Sequence, residues 1–262
     1  MRKIGIILLV IGVFLLLSYF LYYGYKNKEE KENIELYIEP FIGGANMIDK
    51  VECKHKVGSD INKHLVELLN HVKESTNDLP EDVDYELYQD VKANQDSGKY
   101  EDWYIGAVEF LAGFNGRGFE ASFAKPVYEE KTDGSKSYRN YYQEAKRNLI
   151  EQAPLLKDIE ITCNNYDVYS NISGALIYCD PPYENTKTYS RKNPFDHVKF
   201  WDWVRKMSEN NIVLVSEENA PDDFEILWEQ EVTRTIRANE KSKSTEKLFI
   251  LKSKEEQTDL DF

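Results

Sequence analysis

At 262 residues with 41% hydrophobic content, the chain is long enough to bury the core of one α/β domain with a modest insertion, which excludes a disordered or fibrous protein. Its formal charge of −14, from 47 acidic against 33 basic residues, excludes binding to a polyanion through an overall positive field and leaves only local patches for that purpose. Cys53, Cys163 and Cys179 lack metal-ligand spacing, so no metal site is expected, and beside predicted strands they read as reduced and buried.

In chain order, the first feature is Ile4 to Tyr23, twenty uncharged residues interrupted only by Gly and Ser. As a helix this run spans about 30 Å, the thickness of a hydrocarbon core, so it reads as a membrane anchor. No small-x-small cleavage site follows it. Leu36 to Met47 then passes from a β-type run through Glu39-Pro40-Phe41 into the paired turn Gly43-Gly44 and a predicted helix; glycine there lets backbone approach a ligand at a helix N-terminus. Val57 to Asn62 reads as a second strand ending in Asp60, placed where an acid can accept hydrogen bonds from both ribose hydroxyls of a nucleoside.

An insertion follows over about Glu74 to Gln152. Its first part, Glu74 to Asp102, holds ten acids against two lysines and reads as a solvated helical face. Asp102 to Leu111 carries apolar residues at helical spacing. Gly113 to Glu120 is a glycine-rich loop with Phe114, Phe119 and Arg117, suited to a nucleic-acid groove or to the gap left by an extruded base. Tyr138 to Arg147 alternates aromatic and basic residues and leads into a helix. The strand pattern returns at Ile159-Glu160-Ile161, and Ala175 to Cys179 reads as a buried strand. This alternation implies an open, mostly parallel doubly wound sheet with ligands beyond the strands' carboxyl ends.

Asp180-Pro181-Pro182-Tyr183, at one such end, carries the most chemistry. An aromatic amine is a poor nucleophile because its lone pair is delocalised into the ring. The Asp180 carboxylate and the Pro181 carbonyl can accept its two N–H groups, and the two prolines stiffen the turn because each fixes φ and lacks a donor. Acceptors preorganised around a nitrogen that gains positive charge supply electrostatic catalysis. Tyr183 offers a flat face on which a flipped base can stack.

These segments resemble, in order and wording, the DNA adenine-N6 methyltransferases of phage and bacteria, over Leu36 to Leu251. Glu39 to Met47 resembles the family's S-adenosylmethionine loop, Gly58 to Asn62 its ribose-binding acid, and Asp180 to Tyr183 its catalytic tetrapeptide. Val215 to Pro221 and Glu246 to Ile250 resemble the strand and the closing hairpin that follow. The resemblance implies a Rossmann-like methyltransferase fold, methyl transfer from S-adenosylmethionine to adenine N6, and double-stranded DNA as partner, with no obligate protein partner. It implies catalytic roles for Asp180, Pro181, Pro182 and Tyr183, and cofactor contacts from Glu39, Pro40, Phe41, Gly43, Asp60, Asn165, Tyr166 and Asp180. Asn165 departs from the family's usual acid, and Tyr22 to Lys26 only partly matches its aromatic-x-Gly-Gly-Lys segment, so beside the anchor a second reading of the N-terminus stays open, a segment foreign to the ancestral enzyme that leaves the cofactor site damaged.

The expected organisation is a hydrophobic segment and linker over 1–33, a cofactor half over 34–73, a target-recognition insertion over 74–152, a catalytic half over 153–254 and an acidic tail over 255–262. Basic stretches at Lys187 to Lys206, with six basic residues against two acids, and at Arg234 to Lys254, with seven against two, are expected to flank the site. A cytoplasmic catalytic domain is expected, whereas Arg2 and Lys3 before the apolar run favour an inside N-terminus that would carry the domain outward. Two other readings stay open: methylation of another planar amine (cytosine N4, RNA or protein glutamine), and a membrane-anchored nucleic-acid-binding relative that has lost catalysis.

Overall fold

Among the residues that the computed structural model describes, nine runs form strands: β1 (Leu36–Glu39), β2 (His55–Asp60), β3 (Val127–Glu130), β4 (Lys136–Arg139), β5 (Glu160–Cys163), β6 (Ala175–Cys179), β7 (Ile212–Glu217), β8 (Phe224–Arg237) and β9 (Glu240–Leu251). The structure describes residues 34–130, 134–183, 195–237 and 240–252. The apolar run 4–23, the segment 184–194 that opens the first basic stretch, and the tail 255–262 lie outside the described residues. Among the described residues, no helix is long and apolar enough to cross a membrane.

Seven strands make one sheet in the order β5-β2-β1-β6-β7-β9-β8. β1 pairs in parallel with β2 and β6, β6 pairs in parallel with β7, and β9 runs antiparallel to both β7 and β8. The expected mostly parallel sheet is therefore present. Chain order reverses between β1 and β6, and in open α/β sheets ligands bind beyond the carboxyl ends at such a reversal.

The helices are α1 (Lys63–Glu74), α2 (Tyr85–Ala93), α3 (Asp102–Gly106), α4 (Tyr141–Gln152) and α5 (His197–Met207). Asn62, Asp84, Asn140 and Asp196 each accept a backbone N–H from the first turn of α1, α2, α4 and α5, a contribution of about 1 kcal/mol per cap. The expected helix after Gly44 does not form. Residues 40–50 fold as successive turns, because Gly43 (φ 49°) and Ala45 (φ 56°) both take the left-handed conformation, which a helix cannot contain.

The chain divides into two compact units, residues 1–59 with 164–262, and Asp60–Cys163. In the first, α5 buries Phe200, Trp203, Val204 and Met207 against Ile177, Cys179, Val213, Val215 and Phe249 on one face of the sheet. In the second, α3 continues into a π-helical turn, Ala107–Leu111, and β3 and β4 form a hairpin that sequence patterning did not anticipate. The cysteines are all free, as expected, but only Cys179 is buried; Cys53 is half-buried and Cys163 exposed, since Cys163 ends its strand.

Candidate active site

β1 and β6 place the site at their carboxyl ends. The β6 strand is buried along its whole length, and Asp180 emerges from it exposed, with Pro181 buried behind it. Within the tetrapeptide Asp180 alone is exposed, while Pro182 and Tyr183 are half-buried. At the end of β1, Glu39 is buried and accepts a hydrogen bond from the Tyr37 hydroxyl at 2.7 Å. Burial pushes the Glu39 carboxyl up to about 8; the Tyr37 bond opposes this and the nearby Asp180 charge adds to it. Two acids therefore adjoin at this tip, and the raised value leaves Glu39 mostly protonated at neutral pH, so the negative charge there rests with Asp180.

The glycine turn is seated on β2. The Ile42 amide donates to the Ser59 carbonyl at 2.9 Å, and the Ala45 amide returns to the Ile42 carbonyl at 2.8 Å. A Cβ on Gly58 would lie 2.2 Å from Ile42 Cδ1, so a larger residue there would force the Ile42 side chain of the turn to shift. Asp60 ends β2, two residues past Gly58, which is in register with Glu39. Its Oδ1 accepts the Asn62 amide at 2.9 Å.

An aromatic group adjoins the turn. Phe41 stacks on Tyr166 with ring centroids 5.7 Å apart and meets the rings of Phe195 and Phe200 edge-on at 5.8 and 5.7 Å. Phe41 and Phe195 remain partly exposed, whereas Tyr166 and Phe200 are buried. Asn165 is exposed, and its side chain accepts the Tyr166 amide at 2.9 Å, capping the short turn Tyr166–Tyr169. Its first observed task is thus to place the Tyr166 ring. Sequence reasoning missed Phe195 and Phe200, which are close only once α5 has packed.

Strand register explains the opposite sheet face. Partners across strands project to one side, so Tyr37 and Glu39 of β1, Tyr178 of β6, Ser216 of β7 and Leu248 of β9 share the face opposite α5. Tyr183 folds back to this face. Its hydroxyl donates to Glu246 Oε2 at 2.9 Å and lies 3.1 Å from Ser216 Oγ. Ser216 and Glu246 are both buried. Burial and the neighbouring Asp180 and Glu246 charges hold the Tyr183 hydroxyl far above its usual range.

The second unit presents its own candidates. In the glycine-rich loop, Phe119 is buried against Tyr88, while Phe114 and Arg117 are exposed. On the β3–β4 hairpin, Tyr128 and Tyr138 form a cross-strand pair with centroids 4.8 Å apart, and both are exposed. Arg139 is committed to Glu144 through two 2.9 Å hydrogen bonds. In the first unit, several basic residues expected to flank the site serve the fold instead: Lys199 pairs with Asp167 at 3.1 Å and Arg205 with Asp223 at 2.6 Å. Lys247 and Lys252 donate to backbone carbonyls of Glu218 and Asp222.

The model of the D12 class N6 adenine-specific DNA methyltransferases matches residues 26–105 and 118–246. A Type II methyltransferase of Methanocaldococcus jannaschii is similar at 25% identity over 227 residues, covering 75% of this chain and 78% of that protein. Among solved structures, a conserved hypothetical protein of Streptococcus pyogenes is similar at 9% identity and a TM-score of 0.33, covering 83% of this chain and 86% of that one. Those scores leave the fold class to the strand order itself. With Asp180 exposed at the sheet's reversal point and the family model matched over most of the length, the chain belongs to the D12 class N6 adenine-specific DNA methyltransferases.

Proposed function

We propose that Asp180 and the Pro181 carbonyl carry the chemistry by which this DNA adenine methyltransferase transfers a methyl group from S-adenosylmethionine to N6. The observation that supports this most is the exposed Asp180 carboxylate, one strand away from the buried acid Glu39 at the reversal of the sheet. The amine of a flipped adenine donates its two N–H groups to Asp180 and to the Pro181 oxygen. That geometry draws the nitrogen out of conjugation and aims its lone pair away from both acceptors. As the new C–N bond forms and the S–C bond breaks, Asp180 balances the positive charge on the nitrogen, and the surplus proton leaves afterwards. Tyr183 supports the flipped ring from one face.

S-adenosylmethionine supplies an activated methyl group on a sulfonium. The residues present suit it: the exposed Asp180 carboxylate for the cation, a turn with left-handed Gly43 for close approach, and aromatic rings beside it. Glu39, Pro40, Phe41, Gly43, Asp60, Asn165, Tyr166 and Asp180 are the groups that would hold it. Exposed Phe114, Arg117, Tyr128 and Tyr138 of the insertion are the groups we assign to double-stranded DNA, where rings fill or stack and cations meet phosphate.

Asp180→Ala should lower methyl transfer to unmethylated DNA by at least about a hundredfold while leaving the melting temperature of the ligand-free protein nearly unchanged, since Asp180 is exposed. Nucleoside mass spectrometry of the wild-type product should show N6-methyladenine. N4-methylcytosine, or substantial activity in the variant, would overturn this assignment.

A further inference from the structure

We infer that Glu246, with Ser216, is a positioning residue that fixes the plane of the Tyr183 ring for the flipped adenine; this rests on the stacking role proposed above. The tetrapeptide alone leaves that ring free to turn about its χ angles, because Tyr183 lies beyond the end of β6. The fold removes that freedom from the far end of the side chain. The hydroxyl hydrogen bonds Glu246 Oε2 at 2.9 Å and lies 3.1 Å from Ser216 Oγ, while Ser216 also bonds the Tyr178 hydroxyl. Glu246 is 5% exposed and Ser216 3% exposed, so water does not compete for the phenol.

Placing an acid there requires a reason, because a buried carboxylate is unfavourable unless it is hydrogen-bonded. Glu246 sits one step past the β7–β9 register pair Glu217↔Lys247, on the same face as Leu248, which pairs with Ser216. An apolar residue would fill that position more cheaply. A charged acceptor instead forms a hydrogen bond roughly twice as strong as a neutral one, and this bond reaches from the final hairpin to the catalytic turn. The closing strand therefore sets the geometry of a residue 63 positions earlier.

The consequence belongs to the chemical step. DNA affinity is dominated by phosphate contacts, none of which this bond makes, whereas a tilted ring misplaces the adenine amine relative to Asp180. Glu246→Ala should lower kcat by about tenfold, with KM for unmethylated genomic DNA and Kd for S-adenosylhomocysteine each changing less than about twofold. Glu246→Gln, which keeps an acceptor oxygen, should recover most of the loss. In a Tyr183→Phe background, which lacks the hydroxyl, Glu246→Ala should have little further effect. Equal losses in both backgrounds, or wild-type kcat in Glu246→Ala, would overturn the inference. If Glu246→Ala fails to fold, Tyr183→Phe, which keeps the ring and removes the hydroxyl held by Glu246 and Ser216, decides the matter: a fall in kcat of about tenfold with KM nearly unchanged supports the inference, and wild-type kcat overturns it. Asp180→Ala, run alongside, separates the failures: an active Asp180→Ala sinks the active-site assignment, whereas an inactive one beside a fully active Glu246→Ala sinks only the Glu246 role.

Discussion

Glu39 and Asp180 were readable in the sequence because each follows a short apolar run directly, and a strand end has a fixed relation to the site in an open α/β sheet. Glu246 and Ser216 were not, because what gives them meaning is strand register between segments far apart in the chain, which periodicity cannot supply. The state of Glu39 was equally hidden. Its carboxyl is raised from 4.5 to about 8 chiefly by burial, so the folded state binds that proton more tightly than the unfolded state. Stability of the ligand-free protein should therefore decline as pH rises from about 4.5, with this loss levelling off above about 8. Glu39→Gln keeps an acceptor for the Tyr37 hydroxyl and removes the titration. Thermal melting across this range should show a pH-dependent gap opening between the two proteins, whereas parallel profiles would show that the Glu39 carboxyl is not perturbed.

At the scale of elements, four helix starts follow from Asn or Asp at the cap, local chemistry that sequence displays openly. The β3–β4 hairpin was less visible because its strands are four residues each, too short for a period to register; Asp133-Gly134 was the available sign. The glycine-rich loop shows how neighbouring elements set a conformation. Glu109, on the π-helical turn, bonds His64 Nδ1 at 3.0 Å and accepts the Phe119 amide at 3.4 Å, while Lys92 of α2 donates to the Phe119 carbonyl. A Cβ on Gly118 would lie 2.5 Å from Glu109 Oε1, so the glycine is required by this clamp as well as by its φ of 63°. The bond to Glu109 raises the His64 pKa against partial burial, with Asp102 and Asp96 adding to the shift. Its stabilising contribution is fully present below the ordinary histidine value and is lost as pH rises through the raised one. His64→Gln should therefore be destabilised relative to wild type most below the ordinary histidine value, with the difference shrinking as pH rises through the raised one. A difference in melting temperature that stays constant over that range would remove His64 from the clamp.

For the whole molecule, a charge of −14 looks ill-suited to a DNA enzyme until it is divided by location. Ten acids fall within Glu74 to Asp102, and Lys199, Arg205, Lys247 and Lys252 near the catalytic strands are spent on intramolecular partners, so the DNA contact we propose rests on the exposed Phe114, Arg117, Tyr128 and Tyr138 of the insertion. In the reading proposed above the carboxyl ends of β1 and β6 hold the cofactor, so ligand binding should register as global stability because only the folded sheet brings those strands together. S-adenosylhomocysteine at about a hundredfold over its Kd should stabilise the protein by about 2.7 kcal/mol, raising the melting temperature by about 5–10 °C. Asp60→Ala should reduce that rise at the same ligand concentration, because an acid at the end of β2 is placed to accept hydrogen bonds from ribose hydroxyls. A rise of undiminished size in the variant would remove Asp60 from the cofactor site while leaving the Asp180 chemistry intact.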